Sequence, residues 1–276
     1  MPVTITVVGD TGVDRYAGIG DYIGGCSFNV AAHISHLSKN DIRTQLISPL
    51  GDETLSQLIL KKVEKLPLKA FFAFRSGPPP VQDIEIASDG EKIFTRYHPG
   101  VLEGYSLGAK EMSIIRESDY VVTVYYREIE QLFHSVFNSR PAGKLVVDFM
   151  NLRDYKKRLD PVDHLLKSVD IALFGLEHDD TDLIDQLKGR TLKKNQIILL
   201  TFGAAGSVCL HSGGLTAQPA AMVPKAVDTT GAGDSFLAAF LTQFAEGHGV
   251  AAAMEAASTY AAATVQYVGA SQNSAL

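Results

Sequence analysis

The chain has 276 residues, is 46% hydrophobic and 20% charged, and carries a formal net charge of −6 at pH 7. That composition describes a globular protein with one extended core. Its acidic balance argues against a nucleic-acid or anionic-membrane partner, since both need clustered Lys and Arg.

The short basic run Lys156-Lys157-Arg158 reads as a solvated loop or helix face. No apolar stretch reaches the ~18–20 residues that span a bilayer. Cys26 and Cys209 lie far apart without metal-ligand spacing and read as reduced thiols. The opening MPVTITVVGD runs directly into a strand-like segment, which together with those thiols predicts a cytoplasmic protein.

In chain order, the pattern predicts a strand over 3–8 (VTITVV) and helices over 28–38 and 54–65. A strand over 119–124, a helix over 128–138 and strands over 144–149 and 169–174 follow. The remainder reads as a helix over 179–188, a strand over 196–202 and helices over 232–246 and 250–267. The strands are near-continuous in apolarity rather than alternating, as in a parallel sheet covered on both faces. An α/β sandwich with ligands at the carboxyl ends of its strands is therefore expected.

Residues 81–97 (VQDIEIASDGEKIFTRY) break this rhythm by alternating apolar and polar about Asp89-Gly90, a hairpin turn signal. The hairpin is expected to join a small separate sheet with extended segments around 12–25 and 70–75, as a lid; the alternative is an antiparallel edge of the main sheet. Gly77-Pro78-Pro79-Pro80 reads as a stiff connector into it.

The stretch AVDTTGAGDSFLAAFL (226–241) places Gly231, Gly233 and Asp234 at the start of an apolar helix with Phe236, Phe240 and Phe244 on one face. Glycine lets the backbone turn tightly and a ligand come close. The first amides of a helix lack intrahelical acceptors and carry the positive end of its dipole, which makes an anion site. Asp234 has two readings there: a carboxylate complementing the dipole, or a base that takes the proton of an attacking hydroxyl. No G-x-x-x-x-G-K-[ST] is present, Gly9-Asp10-Thr11-Gly12 fails the dinucleotide fingerprint, and Gly18-Ile19-Gly20-Asp21-Tyr22-Ile23-Gly24 does not join a strand to a helix.

Asp228-Thr229-Thr230-Gly231-Ala232-Gly233-Asp234 resembles the D-T-x-G-A-G-D signature of the ribokinase (PfkB) family of sugar and nucleoside kinases, and Gly24-Gly25-Cys26-Ser27-Phe28-Asn29 resembles its G-G-x-x-x-N marker. The resemblance covers essentially the whole chain. It implies a single ribokinase-like domain over 1–276, a three-layer α/β/α sandwich with a mostly parallel central sheet and a β lid formed by about 12–25 and 70–98. By the same resemblance Asp234 is the catalytic base, held ionised by the helix terminus, and the amides of Gly231, Ala232 and Gly233 form the anion hole. Asp14 is expected to grip sugar hydroxyls. Asp10 is a second candidate that reads equally as a loop cap. Gly24 and Gly25 let substrate meet bare backbone, and Asn29 contacts it.

Thr201, Gly203 and Gly206 resemble the family's T-x-G-x-x-G nucleotide loop. Glu177 matches the Glu of N-x-x-E, which organises magnesium through water, although Phe174 stands in the Asn position. Asp148, Asn151 and Arg153 recur in some sugar kinases at a different spacing and are expected as salt-bridge or loop residues. His33, His36 and His134 have no partners at metal spacing.

The implied chemistry is transfer of the γ-phosphoryl group of ATP, with Mg2+ and with K+ as a further candidate, to a small-molecule sugar. GDTGVD, RYHPGV and TVQYVGA resemble the fructoselysine 6-kinase branch, which also lacks a clean N-x-x-E. Asp21, Asp83 and Glu85 are candidates to meet the amino end of such a substrate. The alternatives are another ketose or pentose, a nucleoside or pyridoxal-type acceptor stacked by Phe72, Phe74, Phe94 and Tyr97, or an inactive sugar-binding sensor. Those aromatics equally suit a dry lid core or a homodimer through the lid.

Overall fold

A computed structural model describes residues 2–38, 41–88, 91–272 and 274–276. Apolar, β-branched runs form β1 (Val3–Val8), β8 (Tyr120–Val124), β9 (Lys144–Asp148), β10 (Ile171–Gly175) and β11 (Ile197–Thr201). Three more main-sheet strands carry weaker sequence signals: β4 (Ile42–Leu50), β12 (Ser207–His211) and β13 (Gly214–Gln218). With β5 (Lys69–Phe74) they build a nine-stranded sheet in the order β13-β12-β11-β10-β9-β8-β1-β4-β5. The pairs from β5 to β11 are parallel, and β12 and β13 add an antiparallel hairpin at one edge.

Successive residues of each parallel strand face opposite sides, as a sheet covered on both faces requires. Val146 points into one core and Leu145 and Val147 into the other. The first core is closed by α1 (Cys26–Leu37), α2 (Thr54–Val63), α7 (Ala232–Ala245) and α8 (Val250–Thr264). The second is closed by α3 (Ala109–Arg116), α4 (Glu130–Ser139), α5 (Asp163–Leu166) and α6 (Thr181–Lys188). The molecule is thus a three-layer α/β/α sandwich. No helix of the described residues is long and apolar enough to cross a membrane.

A second sheet stands apart from the first, with strands β2 (Gly12–Tyr16), β3 (Gly20–Gly24), β6 (Val81–Ile86) and β7 (Lys92–His98) in the order β3-β2-β6-β7. Its β6–β7 hairpin is antiparallel, and β6 runs parallel to β2. The turn at Asp89-Gly90 lies outside the described residues. The hairpin therefore extends the small sheet rather than the edge of the main one.

One part of the expected small sheet lies elsewhere. Residues 70–74 belong to β5, paired in parallel with β4. Ala70 and Phe72 pack toward one core and Phe71 and Ala73 toward the other, so this segment is covered on both sides and closes the main sheet. Phe72 and Phe74 are consequently main-sheet residues, and Phe74 is exposed.

Candidate active site

The first strand ends at Val8, and Asp10 follows in the loop at its carboxyl end. Its carboxylate accepts hydrogen bonds from the Cys26 and Ser27 amides, each 3.0 Å, at the start of α1. Asp10 therefore occupies the N-terminus of α1, the capping geometry that one of its two readings anticipated. Asp14 is buried on β2, opposite β3. A Cβ added at Gly24 would sit 2.2 Å from the Asp14 carboxyl carbon, so only glycine leaves room for that carboxylate.

Asn29 lies in the first turn of α1, and its Nδ2 donates to Oδ2 of Asp234 at 2.8 Å. The two motifs, 205 residues apart, therefore meet side chain to side chain. Asn29 Oδ1 is buried with no hydrogen-bond partner among the described residues.

Asp228 is fully buried and ties down the approach to α7. Its Oδ1 accepts from the Thr230 amide (2.8 Å) and hydroxyl (2.6 Å), and its Oδ2 accepts from the Gly269 amide (2.8 Å). Gly231 then adopts φ 75°, with Ala270 so close that an added Cβ would lie 2.6 Å from its Cβ. Gly233 is exposed, and a Cβ there would meet nothing within 4 Å. The Ala232 amide makes a long bond, 3.3 Å, to Thr229 O.

The charge state of Asp234 differs from the expectation of a carboxylate held ionised by the helix terminus. Burial pushes its pKa up to about 7, and the charges of Asp148 and Asp10 add to that; the Asn29 bond and Lys92 oppose it. Desolvation outweighs the dipole because the group is 7% exposed. Asp14 is pushed up to about 8 by burial and by Asp10, Asp234 and Asp228. Asp148 reaches about 6, again through burial, with the Met150 amide bond pulling the other way.

Asp148 is thus neither a salt-bridge nor a loop residue. It ends β9, is buried, makes no ion pair among the described residues, and accepts the Met150 amide at 2.7 Å. Asn151 and Arg153 part from it: Asn151 Oδ1 accepts the Arg153 amide at 3.0 Å in an exposed turn.

Lys92 and Tyr126 also reach the site. Lys92 opens β7 and donates from Nζ to Thr229 O at 3.1 Å. Tyr126 meets Tyr97 of β7 edge to face, ring centroids 6.2 Å apart, and the Asp10 charge bears on both phenols. Neither carried a sequence signal, because each matters through the small sheet's placement over the carboxyl ends of β1 and β8.

Asp21 and Asp83 are engaged on the small sheet by Arg15, at 3.2 and 3.9 Å. Glu85 lies on β6. His33 is buried between Tyr260 OH (3.1 Å) and Ala270 O (2.8 Å), and burial pushes its pKa down to about 4.

Along the same edge, β11 ends at Thr201 and turns through Gly203 (φ 54°) and Gly206 (φ 97°) into β12. A Cβ at Gly206 would lie 2.4 Å from Gln218 O, whereas Gly203 is open. Phe202 stacks on His178, ring centroids 5.7 Å apart. Phe174 is buried and stacks on Phe149 at 5.0 Å, so the core takes the position that the Asn of N-x-x-E would hold.

Glu177, Asp179 and Asp180 each offer an oxygen within 4.8 Å of the others. The Lys157 ammonium lies 2.7 Å from Glu177 and 2.8 Å from Asp180. The three carboxylates are hard oxygen donors of the kind a hydrated divalent cation takes, and Lys157 neutralises two of them here.

The site therefore lies outside the carboxyl ends of the parallel strands, beside the β1–β8 pair where strand order reverses. Residues 3–275 match the model of the pfkB family carbohydrate kinases. A fructoselysine 6-kinase of Shigella flexneri is 25% identical over 97% of this chain and 99% of its own length. A fructosamine kinase of Bacillus subtilis is also 25% identical, over 96% and 92%. The structure of a ribokinase from Thermotoga maritima superposes with a TM-score of 0.76 at 19% identity, covering 100% of this chain and 96% of that one. With the family match running through both motifs that converge on Asp234, this chain belongs to the pfkB family of carbohydrate kinases and is a phosphotransferase acting on a sugar hydroxyl.

Proposed function

We propose that this chain transfers the γ-phosphoryl group of ATP to a primary hydroxyl of a fructosamine, with fructoselysine as the acceptor and phosphorylation at its 6-hydroxyl. Similarity to a fructoselysine 6-kinase and a fructosamine kinase supports that acceptor, and so does a buried site rich in carboxylates, which suits a substrate carrying an amine. The observation that carries the reaction is the Asn29–Asp234 contact at the head of α7.

In this reading Asp14 accepts hydrogen bonds from neighbouring sugar hydroxyls, with Asp10 and Asn29 beside it and the backbone of Gly24 and Gly25 behind. Asn29 holds Oδ2 of Asp234, which leaves Oδ1 to take the proton of the attacking hydroxyl. The new oxygen–phosphorus bond forms as the bond to ADP breaks. The proton moves to Asp234, and no covalent enzyme intermediate arises. A base titrating near 7 is matched to work at neutral pH.

The amides of Gly231, Ala232 and Gly233 receive the oxyanion charge of the moving phosphoryl group. Thr201, Gly203 and Gly206 line the nucleotide. Kinases of this family use ATP, generally with Mg2+. Glu177, with Asp179 and Asp180 beside it, is the set that would hold hydrated magnesium, whose chemistry there is neutralisation of phosphate charge.

K+ activation and a cytoplasmic location belong to the same proposal, the latter on the two free cysteines. The small sheet acts as a lid that excludes water. Ile19, Ile93 and Phe94, 46–52% exposed on it, support a homodimer in which one lid caps another. A monomer by light scattering at assay concentration would remove the dimer.

The test is ADP release with Mg-ATP, with and without K+, against fructoselysine, fructose, ribose, adenosine and pyridoxal. Selective turnover of fructoselysine is expected. Turnover of another acceptor replaces the substrate, and sugar binding without ADP formation replaces the kinase by a sensor.

A further inference from the structure

We propose that Lys92 is a positioning residue of this site, carried on the small sheet, which anchors the loop ahead of α7 and supplies the positive charge that Asp234 meets. This inference rests on the kinase reading of the site and adds a residue that neither motif contains.

The geometry starts at the first residues of the β6–β7 hairpin's return strand. Lys92 Nζ donates to Thr229 O at 3.1 Å, and Thr229 Oγ1 donates to Oε2 of Glu91 at 3.3 Å. Two adjacent side chains of the small sheet therefore grip one residue of the loop. Thr229 sits between Asp228 and Thr230, which are already locked together, so this grip is delivered to a rigid segment. The same Thr229 carbonyl receives the Ala232 amide at 3.3 Å. Lys92 thus shares an acceptor with the first amide of α7, and its ammonium satisfies that carbonyl when the amide turns to a phosphate oxygen.

Lys92 also acts through its charge. Asp234 is faced by Asp10 from the loop after β1, Asp14 from β2, Cys26 from the start of α1 and Asp148 from β9. Each of these, when ionised, favours the protonated form of Asp234. The opposing positive charge comes from Lys92 on β7, and it acts on both Asp14 and Asp234. In a buried site such a charge is weakly screened. The small sheet thus brings to the base a residue that both anchors the loop ahead of α7 and carries the charge that opposes the surrounding carboxylates.

The test is a carboxyl 13C NMR titration of aspartate-labelled protein without substrate, comparing wild type, Lys92→Met and Lys92→Arg, with Asp234→Asn to assign the signal. Asp234 is expected to titrate near 7 in the wild type. In Lys92→Met it should titrate roughly half a pH unit higher, and in Lys92→Arg close to the wild type. The acid limb of kcat/KM should follow, with kcat/KM at neutral pH down roughly twofold in Lys92→Met.

An Asp234 titration unmoved in Lys92→Met overturns the proposal, as does a Lys92→Arg protein that behaves like Lys92→Met. A wild type that phosphorylates no acceptor defeats the kinase reading instead, and the carboxyl titration still decides the role of Lys92.

Discussion

Replacing Asn29 by alanine tests how the two motifs cooperate. The side chain gives one hydrogen bond, from Nδ2 to Asp234 at 2.8 Å, while its Oδ1 has no partner among the described residues. Toward Asp234 the substitution removes a bond that favours the ionised carboxylate, and the lost contact proposed for Asn29 with the sugar adds a fall that is the same at every pH. A hydrogen bond to a charged group contributes about 1.5–3 kcal/mol, and one pKa unit corresponds to about 1.36 kcal/mol. Its loss raises the Asp234 value by roughly one to two units. Starting from about 7, the carboxylate is half ionised at neutral pH. After the shift about a tenth to a hundredth remains ionised, so kcat/KM at pH 7 falls roughly 5- to 50-fold. The acid limb moves to higher pH, and the rate recovers toward about pH 9. Initial rates of ADP formation from about pH 6 to about pH 9 measure both effects. A variant depressed equally at every pH, with its limb still near 7, would refute the reasoning.

Three further substitutions probe the buried carboxylates and the glycines. Asp148 titrates at about 6 in the fold against 3.8 outside it, so its contribution to stability is complete below 3.8 and is lost as pH rises through about 6. That contribution is on the order of 3 kcal/mol, and Asp148→Asn should flatten the fall in Tm between about pH 4.5 and about pH 6.5; equal slopes in the two proteins would contradict it. Gly231→Ala puts a Cβ 2.6 Å from Ala270 Cβ at φ 75°, and should cost roughly 1–3 kcal/mol in denaturant unfolding. Gly233→Ala meets open space inside a helix, so its Tm should equal or exceed that of the wild type while kcat falls through crowding of the phosphate; a destabilised Gly233→Ala protein would contradict this.

Much of this molecule is legible in its residues, and the exceptions have physical causes. The strands ending at Val8, Val124, Asp148, Gly175 and Thr201 are apolar on both faces and announce themselves. Strand β4 does not, because Arg43, Gln45 and Pro49 interrupt its apolar run although most of it is buried. Strand β5 misleads because its Phe-Phe-Ala-Phe segment lies near the hairpin in sequence while its alternate side chains serve two cores. At the site, local pattern places Gly231, Gly233 and Asp234 at the head of a helix. It cannot reveal that Asn29 reaches Asp234 across 205 residues, or that burial overrides the helix terminus in setting the charge of Asp234. Lys92 is invisible for the same reason: only the seating of the small sheet brings it to Thr229.

The account turns on Asp234 as the base, and its most direct test is turnover of Asp234→Asn on the acceptor that the wild type prefers, with sugar binding measured on the same protein. The substitution keeps the shape of the side chain and removes its capacity to take a proton. The account predicts a folded variant that binds sugar and loses about two to four orders of magnitude in kcat. Turnover within a few-fold of wild type would contradict it.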